Sequence, residues 1–194
     1  MTVRVRAGLA AMALVVYFAQ GVLAQGKVEY KVLSTSKTST MEKEMQLAAA
    51  LGFRYSGVTG GSTAAGGAEV VVIMTKAAEP VEFEYRLLAT SKTSTMQREL
   101  QDAGDSGFEF KGQTVFKSAF GGQEVVAILE RAKDDRTPPR RWEYLLLATS
   151  KTSTLQKELS EAGARGFEFV GLTVGKTVMG GDEVVTILRR DKAR

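Results

Sequence analysis

The chain has no cysteine, no histidine and no asparagine, and only three prolines among its 194 residues. Without cysteine, no disulfide can hold the fold together, even if the protein is exported to an oxidising compartment. The lack of histidine removes the commonest general base and the commonest metal ligand. The lack of asparagine removes N-linked glycosylation and Asn-Gly turns. A strong charge of either sign is missing too: 26 basic side chains face 22 acidic ones. Such mixed signs leave no electrostatic footprint for a nucleic-acid partner. Lysine and the carboxylates are the only acid-base groups left for an enzyme.

The first 24 residues read as a segment apart from the fold. Arg4 and Arg6 form a positive start, Ala7 to Ala19 an apolar run, and Val22 and Ala24 stand at the −3 and −1 positions of a small-residue cleavage site. This is the pattern of a secretory signal peptide, cleaved after Ala24, and its run is short for a membrane span. An uncleaved N-terminal anchor is the alternative. No cysteine follows the site, which excludes a lipid anchor on cysteine. The expected location is periplasmic or secreted in a bacterium, with no membrane span after cleavage. Loss of Arg4 and Arg6 leaves a net charge of +2.

Beyond that segment, one unit is written three times. Ser-Lys-Thr-Ser-Thr occurs at Ser36–Thr40, Ser91–Thr95 and Ser150–Thr154. Aligned on Tyr30, Tyr85 and Tyr144, the copies share Gly-Phe pairs at 52–53, 107–108 and 166–167. They also share double glycines at 66–67, 121–122 and 180–181, and glutamates at Glu69, Glu124 and Glu183. Repeats are expected at 27–78, 82–133 and 142–191, joined across 134–141, where Pro138-Pro139 suits a stiff connection. A unit of this size is marginal alone, so mutual packing of the copies is the expected source of stability.

Within a copy the periodicity changes twice. Phe83, Tyr85, Leu87 and Ala89 alternate with Glu84 and Arg86, as in a strand. Met96, Leu100 and Ala103 then recur at helical spacing, and glycines at 104 and 107 should end that helix. Phe108–Phe120 is a second strand with Gly112 as a bulge or bend, Gly121-Gly122 a hairpin turn, and Gln123–Arg131 a third strand. The expected fold is α+β: three tandem β-α-β-β repeats, each a three-stranded sheet with one helix. The third strand is apolar on both faces, with Val126 and Ile128 on one and Val125, Ala127 and Leu129 on the other. One helix covers only one face of a sheet, so the other face should pack on another repeat. The result would be a compact pseudo-symmetric body.

Several of these motifs together resemble a known family. They are Glu84-Tyr85 and Glu143-Tyr144 in the first strand, Glu99-Leu100 and Glu158-Leu159 in the helix, and the Gly-x-x-Gly-Phe-Glu segments at 104–109 and 163–168. The Val-Val-x-Ile-Leu-x-Arg strands at 125–131 and 184–190 complete the set. Each repeat is similar to the bacterial "domain of unknown function 4177" units, small β-α-β-β domains with a Glu-Tyr-Lys start and a Gly-Trp-Glu centre. Phe108 and Phe167 replace the tryptophan, and copy one departs further with Phe53-Arg54-Tyr55. The resemblance implies a fold and supplies no activity or site residue.

The Ser-Lys-Thr-Ser-Thr segments admit two readings. In the first they are helix caps: Ser39 with Glu42, Ser94 with Gln97 and Ser153 with Gln156 have the spacing of a capping box. In the second, free N–H groups at each helix start, a lysine and several hydroxyls form an anion pocket. The candidate residues are Ser36, Lys37, Thr38 and Ser39; Ser91, Lys92, Thr93 and Ser94; and Ser150, Lys151, Thr152 and Ser153. Glu44, Glu99 and Glu158 could balance the lysines, and the three pockets could converge near a pseudo-axis. Glu69, Glu124 and Glu183 are either three inward carboxylates for a cation or solvated edge residues. Ser34-Thr35-Ser36-Lys37 fits Ser-x-x-Lys, but Ala89 and Ala148 take its serine position in the other copies.

These features favour an exported, non-enzymatic binding or structural repeat protein, without cofactor or metal. Its expected partner is an unidentified protein or the cell envelope and, if the helix starts are pockets, a small anion. The alternatives are an enzyme using lysine and carboxylates, or a purely structural component of an envelope assembly.

Overall fold

The computed structural model describes residues 28–63, 67–76, 81–117, 123–133, 140–176 and 181–192. The proposed signal peptide, most of the linker at 134–141 and the double-glycine turn at 121–122 lie outside them.

Among the described residues, nine strands and three helices follow the expected order. Unit 1 has β1 (Tyr30–Thr35), α1 (Thr38–Ala50), β2 (Phe53–Thr63) and β3 (Gly67–Lys76). Unit 2 has β4 (Phe83–Thr90), α2 (Thr93–Asp105), β5 (Glu109–Lys117) and β6 (Gln123–Ala132). Unit 3 has β7 (Trp142–Thr149), α3 (Thr152–Ala164), β8 (Glu168–Lys176) and β9 (Asp182–Asp191). In every unit the last strand lies in the middle of an antiparallel sheet and the first lies at an edge: β1-β3-β2, β4-β6-β5 and β7-β9-β8. Each helix ends before a glycine with positive φ, Gly52, Gly107 or Gly166, which a side chain with Cβ would resist. The bulge falls in all three second strands, with the register shifting at Tyr55/Gly57, Phe110/Gly112 and Phe169/Gly171.

The units are stacked. One core joins Leu33, Met41, Met45 and Val72 of unit 1 to Phe83, Tyr85, Val126 and Ile128 of unit 2. A second joins Met96, Leu100, Ala127 and Leu129 of unit 2 to Trp142, Tyr144, Val185 and Ile187 of unit 3. The two faces of β6 therefore feed two different cores, as its unbroken apolar run requires. Each of α1 and α2 lies between the sheet of its own unit and the sheet of the next. The packing runs unit 1 on unit 2 and unit 2 on unit 3, so the segments at the helix starts sit on successive layers and do not converge on an axis.

Candidate functional site

The helix starts differ from the capping-box expectation. In all three copies the N-cap is the lysine, Lys37, Lys92 or Lys151, in extended conformation and without a side-chain cap hydrogen bond. The helices begin two residues earlier than a serine cap would place them. The preceding threonine explains this. Lys37 N–H donates to Thr35 Oγ1 at 3.2 Å, Lys92 N–H to Thr90 Oγ1 at 3.1 Å and Lys151 N–H to Thr149 Oγ1 at 3.2 Å. Each threonine makes a local turn that aims the chain into its helix. Ser36, Ser91 and Ser150 sit in the bend before the lysine. Thr38, Thr93 and Thr152 are the first helical residues, and Ser39, Ser94 and Ser153 the second. These side chains are exposed or half-buried.

The glutamate and glutamine of the expected capping boxes in α1 and α2 work elsewhere. Glu42 Oε2 accepts from Leu87 N–H at 2.8 Å, and Gln46 Nε2 donates to the Tyr85 carbonyl at 2.6 Å. One unit on, Gln97 accepts from Leu146 N–H at 2.7 Å and donates to the Tyr144 carbonyl at 2.9 Å. Gln101 likewise accepts from Tyr144 N–H at 3.1 Å and donates to the Trp142 carbonyl at 3.3 Å. Both α1 and α2 thus use two side chains, one turn apart, to pair the open edge of the next sheet. A sheet edge closed this way cannot recruit a foreign strand.

Two more contacts complete each junction. The Tyr85 hydroxyl accepts from Tyr55 N–H at the unit 1 bulge at 2.8 Å and donates to Glu130 Oε2 at 2.8 Å. The Tyr144 hydroxyl accepts from Phe110 N–H at the unit 2 bulge at 2.7 Å and donates to the Phe108 carbonyl at 3.0 Å. Burial holds both phenols protonated above their usual range, that of Tyr144 up to about 12. An ion pair then crosses each junction, with its signs reversed. Arg54 of unit 1 meets Glu130 of unit 2 at 2.8 Å, whereas Glu109 of unit 2 meets Arg189 of unit 3 at 2.7 Å. Burial alone would raise the Glu109 carboxyl, but Lys111 and Arg189 outweigh it and hold it below the ordinary range.

One cleft coincides with a predicted segment. A shallow, open depression at the unit 2–unit 3 junction is lined by Thr90, Ser91, Lys92 and Thr93, and also by Glu124 and Glu183. Lysine, hydroxyls and two of the repeated glutamates are thereby brought together. In unit 1 the corresponding Glu69 accepts from Ser34 Oγ at 3.0 Å. Among the described residues no group of three or more carboxylates could hold a metal ion. Nor is any described helix long and apolar enough to cross a membrane.

The residues that sequence reasoning missed are those of the junctions. The signal for them was a pair of amide or carboxylate side chains four apart on one helix face, Glu42/Gln46 and Gln97/Gln101. No family model, curated protein or solved structure matches the chain.

Proposed function

We propose that this chain is an exported, non-enzymatic repeat protein with a structural or ligand-presenting task in the bacterial envelope or outside the cell. One observation carries the reading: the tyrosine hydroxyls of β4 and β7 and the Glu or Gln side chains of α1 and α2 are spent on joining one unit to the next. The strongly perturbed tyrosines, Tyr55, Tyr85 and Tyr144, lie at these junctions, and burial is the first cause of each shift. Perturbed groups of this kind often mark catalytic sites. Here the Tyr85 and Tyr144 hydroxyls are taken up by backbone groups and by the carboxylate of a structural ion pair. A threefold unit also fits poorly with the unequal roles of an acid and a base. Export rests on Arg4, Arg6, the apolar run and Ala24. The mass of the protein recovered from a secreting bacterium should correspond to a chain beginning at Gln25. Turnover of an ester or phosphoester panel that Lys92→Ala abolishes would replace this reading with an enzymatic one.

The cleft favours a second reading within the same class. Ser91, Lys92 and Thr93 at the start of α2 would seat an anionic group, with Glu124 and Glu183 admitting a ligand that also carries a positive charge. Titration with phosphate, sulfate and a zwitterionic amino acid, followed by amide chemical shifts at residues 91–94, separates these ligands. Unchanged shifts with all three, or shifts indifferent to Lys92→Ala, would discard the site.

A further inference from the structure

We propose that copies of this chain associate head to tail, the α3–β8 end of one copy seating on the outer face of β1 and β3 in the next. The contact repeats the two junctions found inside the chain. It deepens the structural reading above by naming the partner, and rests on the stacking geometry alone.

The stack has two unlike ends, and each carries half of a junction. At the first end the positions that a preceding unit covers elsewhere are bare. Tyr30 is 65% exposed, while its equivalents Tyr85 and Tyr144 are 2% and 3% exposed. Ile73 is 42% exposed, while Ile128 and Ile187 are wholly buried. Val28 and Val32 are exposed as well, and among the described residues β1 is an edge strand with no helix of a preceding unit against it. At the bulge, a Cβ on Gly112 would collide with Tyr55 of unit 1, and one on Gly171 would stand 2.6 Å from the Phe110 ring. Gly57, at the same place in unit 1, has nothing within 4 Å. It is an empty seat for an aromatic ring.

The other end supplies that ring. Phe169 stands where Tyr55 and Phe110 stand, and it is 59% exposed. Leu172 and Val174 beside it are exposed too. On α3, Leu155 and Leu159 are half-buried where Met96 and Leu100 are closed over. A Cβ on Gly104 would meet Tyr144 of the next unit at 2.8 Å, whereas its equivalent Gly163 has nothing within 4 Å. Gln156, the equivalent of Gln97, donates to Ser160 Oγ at 3.2 Å instead of to an edge strand. Apolar surface facing apolar surface, ring facing glycine seat, and a spare amide facing an open strand edge make the two ends complementary.

The charges point the same way. The internal pairs Arg54–Glu130 and Glu109–Arg189 set the order of units, because unit 1 on unit 3 would oppose Arg54 to Arg189. Between copies, Glu168 would face Thr75, a hydroxyl that can donate to it. At this position the contact lacks the ion pair of the two internal junctions and is therefore the weakest of the three. Because the two surfaces differ, the association is heterologous and adds copies in a row or closes into a ring.

Sedimentation velocity of the full chain over a dilution series tests the proposal. The weight-average mass should rise with concentration past that of a dimer. Val32→Asp and Phe169→Asp each alter one exposed end, match the thermal unfolding midpoint of the wild type at dilutions where it too is monomeric, and should each give a monomer. Mixed in equal amounts they should give a dimer and nothing larger, since each retains the end the other lost. A wild-type chain that stays monomeric overturns the assembly and leaves the exported-module reading to its own test. Association that survives in both variants runs through another surface, residues 1–27 included, and overturns it equally. So does a mixture that stays monomeric.

Discussion

The helices α2 and α3 share eight of their thirteen residues and have different surroundings. In α2, Met96, Leu100 and Ala103 are buried between two sheets. In α3, only Ala162 is buried, and the core around it reduces to Phe167 and Leu188 with half-buried leucines beside them. The difference is the neighbour. A repeat of this size closes one side of its helix with its own sheet and relies on the next sheet for the other, as stacked repeats do generally. Unit 3 also tolerates Thr186, wholly buried with no partner for its hydroxyl among the described residues, where unit 2 has Ala127. Position in the stack decides what a given residue contributes to stability, and matched substitutions expose this directly.

The largest single effect is expected for leucine. Leu100→Ala empties a site that is 0% exposed and should cost about 2–5 kcal/mol, within the range for buried leucines. At dilutions where the chain is monomeric, Leu159→Ala, at the same place in α3, should cost about half of that or less, because water already reaches part of the side chain. Urea midpoints of the two variants provide the measurement. Equal losses would mean that α3 is covered in solution, either by a second copy or by residues 1–27. Repeating the pair with Val32→Asp in the background then tells these apart, since only the first cover depends on β1.

Glycine gives smaller single effects, and the two are of opposite sign. Gly104→Ala adds a Cβ against the Trp142 carbonyl and the Tyr144 ring, forcing α2 and β7 apart at a cost of about 1–3 kcal/mol. In the monomeric chain Gly163→Ala meets open space inside a helix and should stabilise by about 0.5–1 kcal/mol, the usual preference of a helix for alanine. Thermal melts of the two single variants suffice. A stabilising Gly104→Ala would show that the first strand of unit 3 does not sit on α2 as described.

These pairs also show what was legible beforehand. Strand, helix, bulge glycine and hairpin order follow from local periodicity and turn chemistry, so β-α-β-β could be read from one copy. The unbroken apolar run in β6 announced a second packing face without saying which copy would cover it. The misreading at Ser39, Ser94 and Ser153 has a physical cause. A capping box and a helix side chain aimed at a neighbouring edge strand both place Glu or Gln near the helix start. The deciding partner, Leu87 N–H for Glu42 and Leu146 N–H for Gln97, lies more than forty residues away. Nor could the sequence show that Tyr30 is bare and Tyr85 buried, because both stand in the same local pattern. Only the order of stacking separates them. The cleft beside Lys92 was half legible: the hydroxyls and the lysine were singled out, but Glu124 and Glu183 enter it from two other strands.

The smallest contrast lies in the reversed ion pairs and is sharpened by pH. Glu109 faces Arg189 and Lys111, and its carboxyl titrates below the ordinary range. A carboxylate whose pKa is lower in the folded chain than in the unfolded one adds stability that is complete above the unfolded value, about 4.3. That stability drains away as the pH falls through the lower, folded value. Glu109→Gln should therefore be less stable than the parent at pH 7, with the gap closing as the pH approaches 3. Glu168→Gln, at the same place in unit 3, removes no ion pair found among the described residues and should leave the midpoint at pH 7 where it was. Thermal melts at three or four pH values give both curves. A gap for Glu109→Gln that is constant across them would assign the loss to packing at the β5–β8 contact and not to the charge that joins unit 2 to unit 3.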